Sequence, residues 1–266
     1  MSFPSDLPTR RRSRFEAAFT LIELLTVIAV LGIIVAIVVP VIGSVRENAN
    51  RTASASNLRQ WTGALLLFAN DNRKRIPYEG SRDQPSWGVT RAASEENSWF
   101  NVLPPFAGEK PLDELQSASD RRMMIRKGSL HYSPGARIDE RENRRRPFFS
   151  YMMNSQLYSD EGNAPSNSGS DLIRLSLIPE PSRTIFITET RVSVDDGAPN
   201  EGDDDRVARA KGRNNSISFR YGNRTNVAFL DGHVETVDSE RLYDGGRDPA
   251  APGGQQDDFV WFPWEP

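Results

Sequence analysis

The sequence predicts an α+β fold, with a long N-terminal α-helix packed on a small antiparallel β-sheet head that has long loops. Three observations predict it. Residues 24–42 are nineteen positions without a charge, about 28 Å of helix at the standard rise. Beyond Pro40, Leu58, Trp61, Leu65 and Phe68 recur at spacings of three and four, the period of a helix with one apolar face. Farther on, two short strand-like runs, 226–230 and 233–237, flank Asp231-Gly232, a strong short-range hairpin signal.

Taken in order, residues 1–18 form a basic N-terminal stretch. Arg10, Arg11, Arg12 and Arg14 stand against Asp6 and Glu16. Basic residues beside a membrane span hold that flank on the cytoplasmic side. Residues 19–43 read as a transmembrane helix half, because the uncharged run matches the hydrocarbon core of a bilayer. A secretory signal peptide fits less well. The run exceeds a usual signal core, and Val39-Pro40-Val41-Ile42-Gly43-Ser44 lacks a clean small-x-small cleavage site. Residues 44–76 read as the amphipathic half, with small residues at Ala49, Thr52 and Ser56 after Val45, then the large apolar stripe. Pro40 lacks an N–H and crowds the preceding turn, which predicts a bend or local melt at 36–40. Asn70-Asp71-Asn72 followed by Ile76-Pro77 marks the helix end.

Residues 77–266 form the globular α+β head. Residues 77–98 are rich in Pro, Gly, Ser and charge and read as a surface loop. Residues 148–154 and 183–189 read as strands, the second with an alternating pattern. The Asp231-Gly232 pair predicts a two-residue type I′ turn, with Asp231 at positive φ.

Composition narrows the function classes. The chain has 266 residues, 33 basic and 36 acidic side chains, and no cysteine. Without residues 1–18, 29 basic and 34 acidic side chains remain, which is no electrostatic footprint for DNA. Absence of cysteine excludes disulfides, thiolate catalysis and cysteine-ligated zinc. With only His131 and His233, a multi-histidine metal site is excluded. No nucleophile elbow, phosphate loop or dinucleotide fingerprint occurs. The sequence carries none of these catalytic signatures, and an enzyme is not expected.

Glu23 is the anomaly. It lies at the start of the apolar run, where a charge at bilayer depth costs roughly 2.5–3.5 kcal/mol. No basic residue stands between Arg14 and Arg46. Its partner is therefore expected from another subunit, or from an amine made by cleavage.

Ala18-Phe19-Thr20-Leu21-Ile22-Glu23, behind a basic leader and ahead of an apolar run, resembles the processing site of type IV prepilins and type II secretion pseudopilins. The resemblance implies a pilin-like architecture and cleavage by a prepilin peptidase between Ala18 and Phe19, with methylation of the new Phe19 N-terminus. It also implies that Glu23, the fifth mature residue, pairs with the amine of a neighbouring subunit during assembly. Ala18 departs from the usual Gly. Gly32 and Pro40 fall where pilin helices commonly carry Gly and Pro.

A second resemblance rests on Phe68-Ala69-Asn70-Asp71-Asn72, Phe149-Ser150-Tyr151-Met152-Met153-Asn154 and the run from Asn226 through Asp231-Gly232-His233-Val234. These look like a bacterial group of pseudopilin-like proteins named for a His-x9-Asp-Gly pattern. Here Tyr221 stands in place of the His. If that His served a metal or a reaction, the chain has lost the function. If it packed or hydrogen-bonded beside the hairpin, Tyr221 can replace it.

The remaining candidates have bland alternatives. Asp231 and His233 could form an acid–base pair, but Asp in such turns is ordinarily a turn former. Asp195, Asp196, Asp203, Asp204 and Asp205 offer oxygen ligands for calcium, and major pseudopilins do bind calcium in a head loop. The Asp-x-Asp-x-Asp-Gly order is absent, so a solvated acidic loop is the competing reading. Arg141, Arg144, Arg145 and Arg146 are interleaved with Asp139, Glu140 and Glu142. They read as a solvated loop rather than a nucleic-acid site. No cofactor is expected.

These readings predict a pseudopilin of a type II secretion-like pseudopilus. It would be single-pass in the cytoplasmic (inner) membrane, its leader cytoplasmic and its head extracytoplasmic. Expected partners are the prepilin peptidase, other pseudopilin subunits, the inner-membrane assembly platform and membrane lipid. The alternatives are a type IV pilus subunit for adhesion, motility or DNA uptake, and a membrane-tethered binding module that never polymerises.

Overall fold

The computed structural model describes residues 20–80, 86–138, 143–144, 146–158, 172–192, 208–212, 216–242, 259–261 and 263. The chain divides into two compact units, Met1–Val45 and Arg46–Pro266. Helix α1, Leu21–Asp71, contributes to both.

In the first unit, α1 is apolar on every side. Seventeen large apolar side chains, from Leu21 to Val45, are at least 45% exposed. Burying such a side chain is worth roughly 1.5–3 kcal/mol, so bare exposure to water on this scale is not sustainable. The helix is long and apolar enough to cross a membrane. The helical assignment continues through residues 36–40, so the expected local melt at Pro40 is not found. The lost hydrogen bond at a proline is local, and the turns on either side carry the helix through it.

In the second unit, α1 is one-sided. Leu58, Trp61 and Leu65 are fully buried and Phe68 nearly so, as the three-and-four spacing predicts. The Trp61 indole N–H donates to Leu130 O at 3.2 Å. The helix stops at Asp71 because Arg73 and Lys74 both adopt positive φ. The Lys74 N–H then reaches back to Ala69 O at 2.6 Å, satisfying a terminal carbonyl.

The head is built on a five-stranded sheet. In chain order the strands are β1 (Tyr151–Asn154), β2 (Ile185–Glu189), β3 (Lys211–Gly212), β4 (Arg224–Phe229) and β5 (Val234–Asp238). Their spatial order is β3-β1-β2-β4-β5. The four main strands are antiparallel, as expected, and the two-residue edge strand β3 runs parallel to β1. Short helices α2 (Trp99–Val102) and α3 (Ala118–Arg121) precede the strands, and α4 (Ser239–Leu242) follows them.

Both faces of the sheet are covered. On one face, Met153, Phe186, Ile187 and Ala228 join the core that holds Leu58, Trp61, Leu65, Trp99 and Phe149. On the other, Met152, Ile185, Val227, Phe229 and Val237 pack with Phe259 and Trp261. Two-sided coverage leaves β2 wholly buried rather than alternating. A register shift between Ile185 and Ile187 adds to this. The bulge places Phe186 and Ile187 in the same core, because an extra residue interrupts the two-residue period.

Within 77–98, the described residues 77–80 and 86–98 differ from the expected surface loop. Tyr78, Trp87, Thr90, Glu95 and Ser98 are buried, and two turns of 3₁₀ helix run through Val89–Arg91 and Ala93–Glu95. The loop-like composition concealed a segment that packs against the helix-side core.

Candidate functional site: the helix start and the head hairpin

Thr20 and Glu23 form a capping box at the start of α1. The Glu23 N–H donates to Thr20 Oγ1 at 3.2 Å. In return, Glu23 Oε2 accepts from the Thr20 N–H at 2.8 Å and from its hydroxyl at 2.9 Å. This reciprocal arrangement satisfies two of the free donors at a helix N-terminus. It corrects the expectation that Glu23 has no partner in its own chain beyond a cleaved amine. The signal was present in the sequence as Thr-x-x-Glu before an apolar run. Both side chains remain exposed, so the carboxylate stays accessible from outside the helix. Ala18 and Phe19 lie outside the described residues. A side chain added at Gly32 would meet nothing within 4 Å, so no intrachain contact requires a glycine there.

In the head, the Asp231-Gly232 hairpin exists, but its turn differs from the one expected. The Phe229 N–H donates to His233 O at 3.0 Å, and the Gly232 N–H donates to Phe229 O at 3.0 Å. The loop therefore has three residues, Leu230, Asp231 and Gly232. Among these only Gly232 has positive φ, at 102°. This is the pattern of a tight turn closed by a bulge glycine, not a two-residue type I′ turn. Both turns use Asp-Gly, so dipeptide composition could not separate them.

The Asp231 carboxylate has a local role. Its Oδ1 accepts from the His233 N–H at 3.1 Å and lies 2.6 Å from His233 Nδ1. The His233 ring stacks on Phe229, with centroids 4.1 Å apart. The pair thus braces the turn from its solvent side. The tip docks on α1, where the Thr62 hydroxyl donates to Gly232 O at 3.1 Å.

Tyr221 is buried, and its hydroxyl lies 2.8 Å from Glu189 Oε1 and 2.7 Å from Pro134 O. Glu189, also fully buried, is the hub. Its Oε1 accepts from the Ser54 hydroxyl of α1 and from the Ser133 hydroxyl at 2.7 Å. Its Oε2 accepts from the Asn226 N–H at 3.1 Å. Arg220 donates to Ser133 Oγ at 3.0 Å and to Thr190 O at 2.6 Å. The Tyr151 hydroxyl joins through Ser54, at 3.0 Å. Burial pushes the Tyr221 and Tyr151 hydroxyls well above the usual phenol range, and the nearby Glu189 charge adds to it. Both therefore stay neutral. Sequence reasoning missed Glu189, because a carboxyl at the end of a strand reads as a surface residue.

Tyr221 hydrogen-bonds into this cluster. His131 is likewise a core residue, packed edge-on against Trp61 at 5.2 Å. Burial pushes its imidazole down to about 3. Among the described residues, no three His, Asp or Glu side chains gather into a metal site. Asp195, Asp196, Asp203, Asp204 and Asp205 lie outside the described residues.

Residues 13–39 match the family model of the prokaryotic N-terminal methylation motif. No curated protein and no solved structure matches the chain. The match covers Phe19, Glu23 and most of the exposed apolar helix. The chain thus carries a prokaryotic N-terminal methylation motif of the kind found in type IV prepilin-like proteins, set ahead of an α+β head.

Proposed function

We propose that the chain is a structural subunit, not an enzyme: a pseudopilin of a type II secretion-like pseudopilus that serves protein export. The observation that carries this reading is the methylation motif, placed at the start of a helix that is apolar on every side. The motif implies a prepilin peptidase as processing partner and other pilin subunits as assembly partners. An apolar helix surface can be covered first by lipid and then by sister helices, so extraction from the membrane into a filament exchanges one apolar environment for another.

Glu23 would supply register. Its carboxylate is tied to Thr20 but still exposed, and the amine of a neighbouring mature Phe19 would add the charge partner that Thr20 lacks. Leaving a charge unpaired among packed apolar helices costs several kcal/mol. Subunits would then favour the axial position that brings amine and carboxylate together. The basic leader keeps residues 1–18 cytoplasmic in this reading, with the head across the membrane and the assembly platform at its base.

The capping box favours a second reading. Because Thr20 already gives Glu23 hydrogen bonds, the chain does not need a neighbour to satisfy this side chain, and a tethered, non-polymerising module is compatible with it. Cysteine pairs placed along residues 24–42 separate the readings. Crosslinked ladders in membranes that contain the assembly machinery support the subunit. Monomers alone, from a chain shown by intact mass to start at N-methylated Phe19, support the tethered module.

A further inference from the structure

A cavity of about 260 Å³ in the head is lined by Ala118, Arg121, Arg122, Ile125, Asn143 and Arg144. Three arginines from two chain segments converge on it, and no carboxylate lines it among the described residues. Like charges gathered this way repel unless an anion separates them. Ala118 and Ile125 add apolar lining.

The two segments are locked together. Asn143 is buried, and its side-chain amide donates to Arg121 O at 2.9 Å while its Oδ1 accepts from the Phe148 N–H at 3.3 Å. The buried Trp87 indole donates to Asn143 O at 2.9 Å. Arg121 is itself held, its guanidinium 4.9 Å from the centre of the Trp87 ring and its Nε donating to Leu115 O at 3.3 Å. Arg122 and Arg144 are exposed and have no ion pair among the described residues. One guanidinium is therefore fixed in advance, and two are free to close on a ligand.

We propose that this cavity binds a phosphate group. Guanidinium forks match oxyanions with paired hydrogen bonds, and a phosphate presents more oxygens to three arginines than a carboxylate can. The volume falls just below that of typical small-molecule pockets, roughly 300–1,000 Å³. It suits a phosphate-bearing end rather than a large ligand. The inference is independent of whether the chain polymerises.

The test is calorimetric titration of the full chain, purified in detergent, at constant ionic strength. Sodium pyrophosphate represents a free or terminal phosphate, glycerophosphoglycerol a lipid headgroup, and acetate a carboxylate. Saturable binding of either phosphate compound, with acetate much weaker, is the expected result, and the tighter of the two identifies the source. Arg122→Gln and Arg144→Gln should each weaken binding about tenfold, a typical loss for one charge-assisted hydrogen bond. Arg59→Gln, exposed on α1 and not lining the cavity, should change nothing. Both cavity arginines are exposed, so the variants should fold, and circular dichroism verifies it. Failure of both phosphate compounds to saturate would overturn the proposal. So would acetate binding as tightly, or unchanged affinity in the folded double variant.

Discussion

Glu23 and Glu189 are two carboxyl groups solved in opposite ways. Glu23 is exposed at the first turn of a helix and held by one residue, Thr20. Glu189 is fully buried and held by donors from α1, from the segment around Ser133, from Tyr221 and from β4. The contrast separates two kinds of polar residue in an apolar setting. One is satisfied locally and leaves its charge open to a partner. The other is satisfied by the whole fold and leaves nothing open.

Exchanging the two losses is the sharpest way to break that comparison. Glu23→Leu should abolish or nearly abolish filament yield in a shearing assay while leaving the unfolding of the head unchanged. Normal yield from the correctly cleaved variant would remove Glu23 as the assembly contact. Glu189→Leu should do the reverse. It removes the acceptor of the Ser54 and Ser133 hydroxyls and of the Asn226 N–H, and should cost roughly 3–5 kcal/mol in urea unfolding of the full chain, with cleavage at Phe19 unaffected. Tyr221→Phe removes one donor and should cost roughly 1–3 kcal/mol.

The hairpin gives the next effect. Gly232→Val forces a β-branched residue into positive φ, and its Cβ would sit 3.0 Å from Leu66 Cδ1. A loss of roughly 1–3 kcal/mol is expected, with Leu66→Ala relieving only the contact part. Asp231→Asn keeps an oxygen for the His233 N–H and should stay within about 0.5 kcal/mol. Loss of a binding activity in that variant, with the fold intact, would show that Asp231 is more than a turn brace.

A further effect is acid sensitivity. The His131 imidazole falls to about 3 in the folded head, against about 6.5 when unfolded. Between those values the unfolded chain binds a proton that the folded head excludes. Stability from this group is complete above pH 6.5 and declines as the pH falls toward 3, by up to about 1.4 kcal/mol per unit. His131 Nε2 has no hydrogen-bond partner among the described residues. His131→Phe should therefore be nearly neutral at pH 7, and should flatten the change in urea midpoint between pH 7 and pH 5. An unaltered slope would mean that another group carries it.

What was legible in the sequence was local. The uncharged run, the stripe of Leu58, Trp61, Leu65 and Phe68, and the strands around Asp231-Gly232 each announce themselves within a few residues. The turn type was not legible, because a two-residue and a three-residue loop both use Asp-Gly. The bulge in β2 was hidden by continuous apolar residues on a strand buried from both sides. Residues 77–98 were misread because Pro, Gly and Ser outnumber the aromatic side chains that bury them. The Glu189 cluster draws on segments around residues 54, 133, 151, 189, 221 and 226. No periodicity joins positions so far apart. Of the arginine-lined cavity, Arg144 was visible within a basic run, but its other wall, Arg121 and Arg122, lies some twenty residues earlier.

Residues 259–261 close the second face of the sheet. Val260 exchanges backbone hydrogen bonds with Arg183 and Ile185, and the Asn154 side chain donates to Trp261 O at 3.0 Å. A ribosome delivers these residues after all five strands. Until they emerge, Ile185, Val227 and Phe229 lack their cover. The head can therefore collapse on its helix side early but cannot reach its final state until the 259–261 segment is available. In the proposed pseudopilin, delayed closure would keep the head pliable while it crosses the membrane.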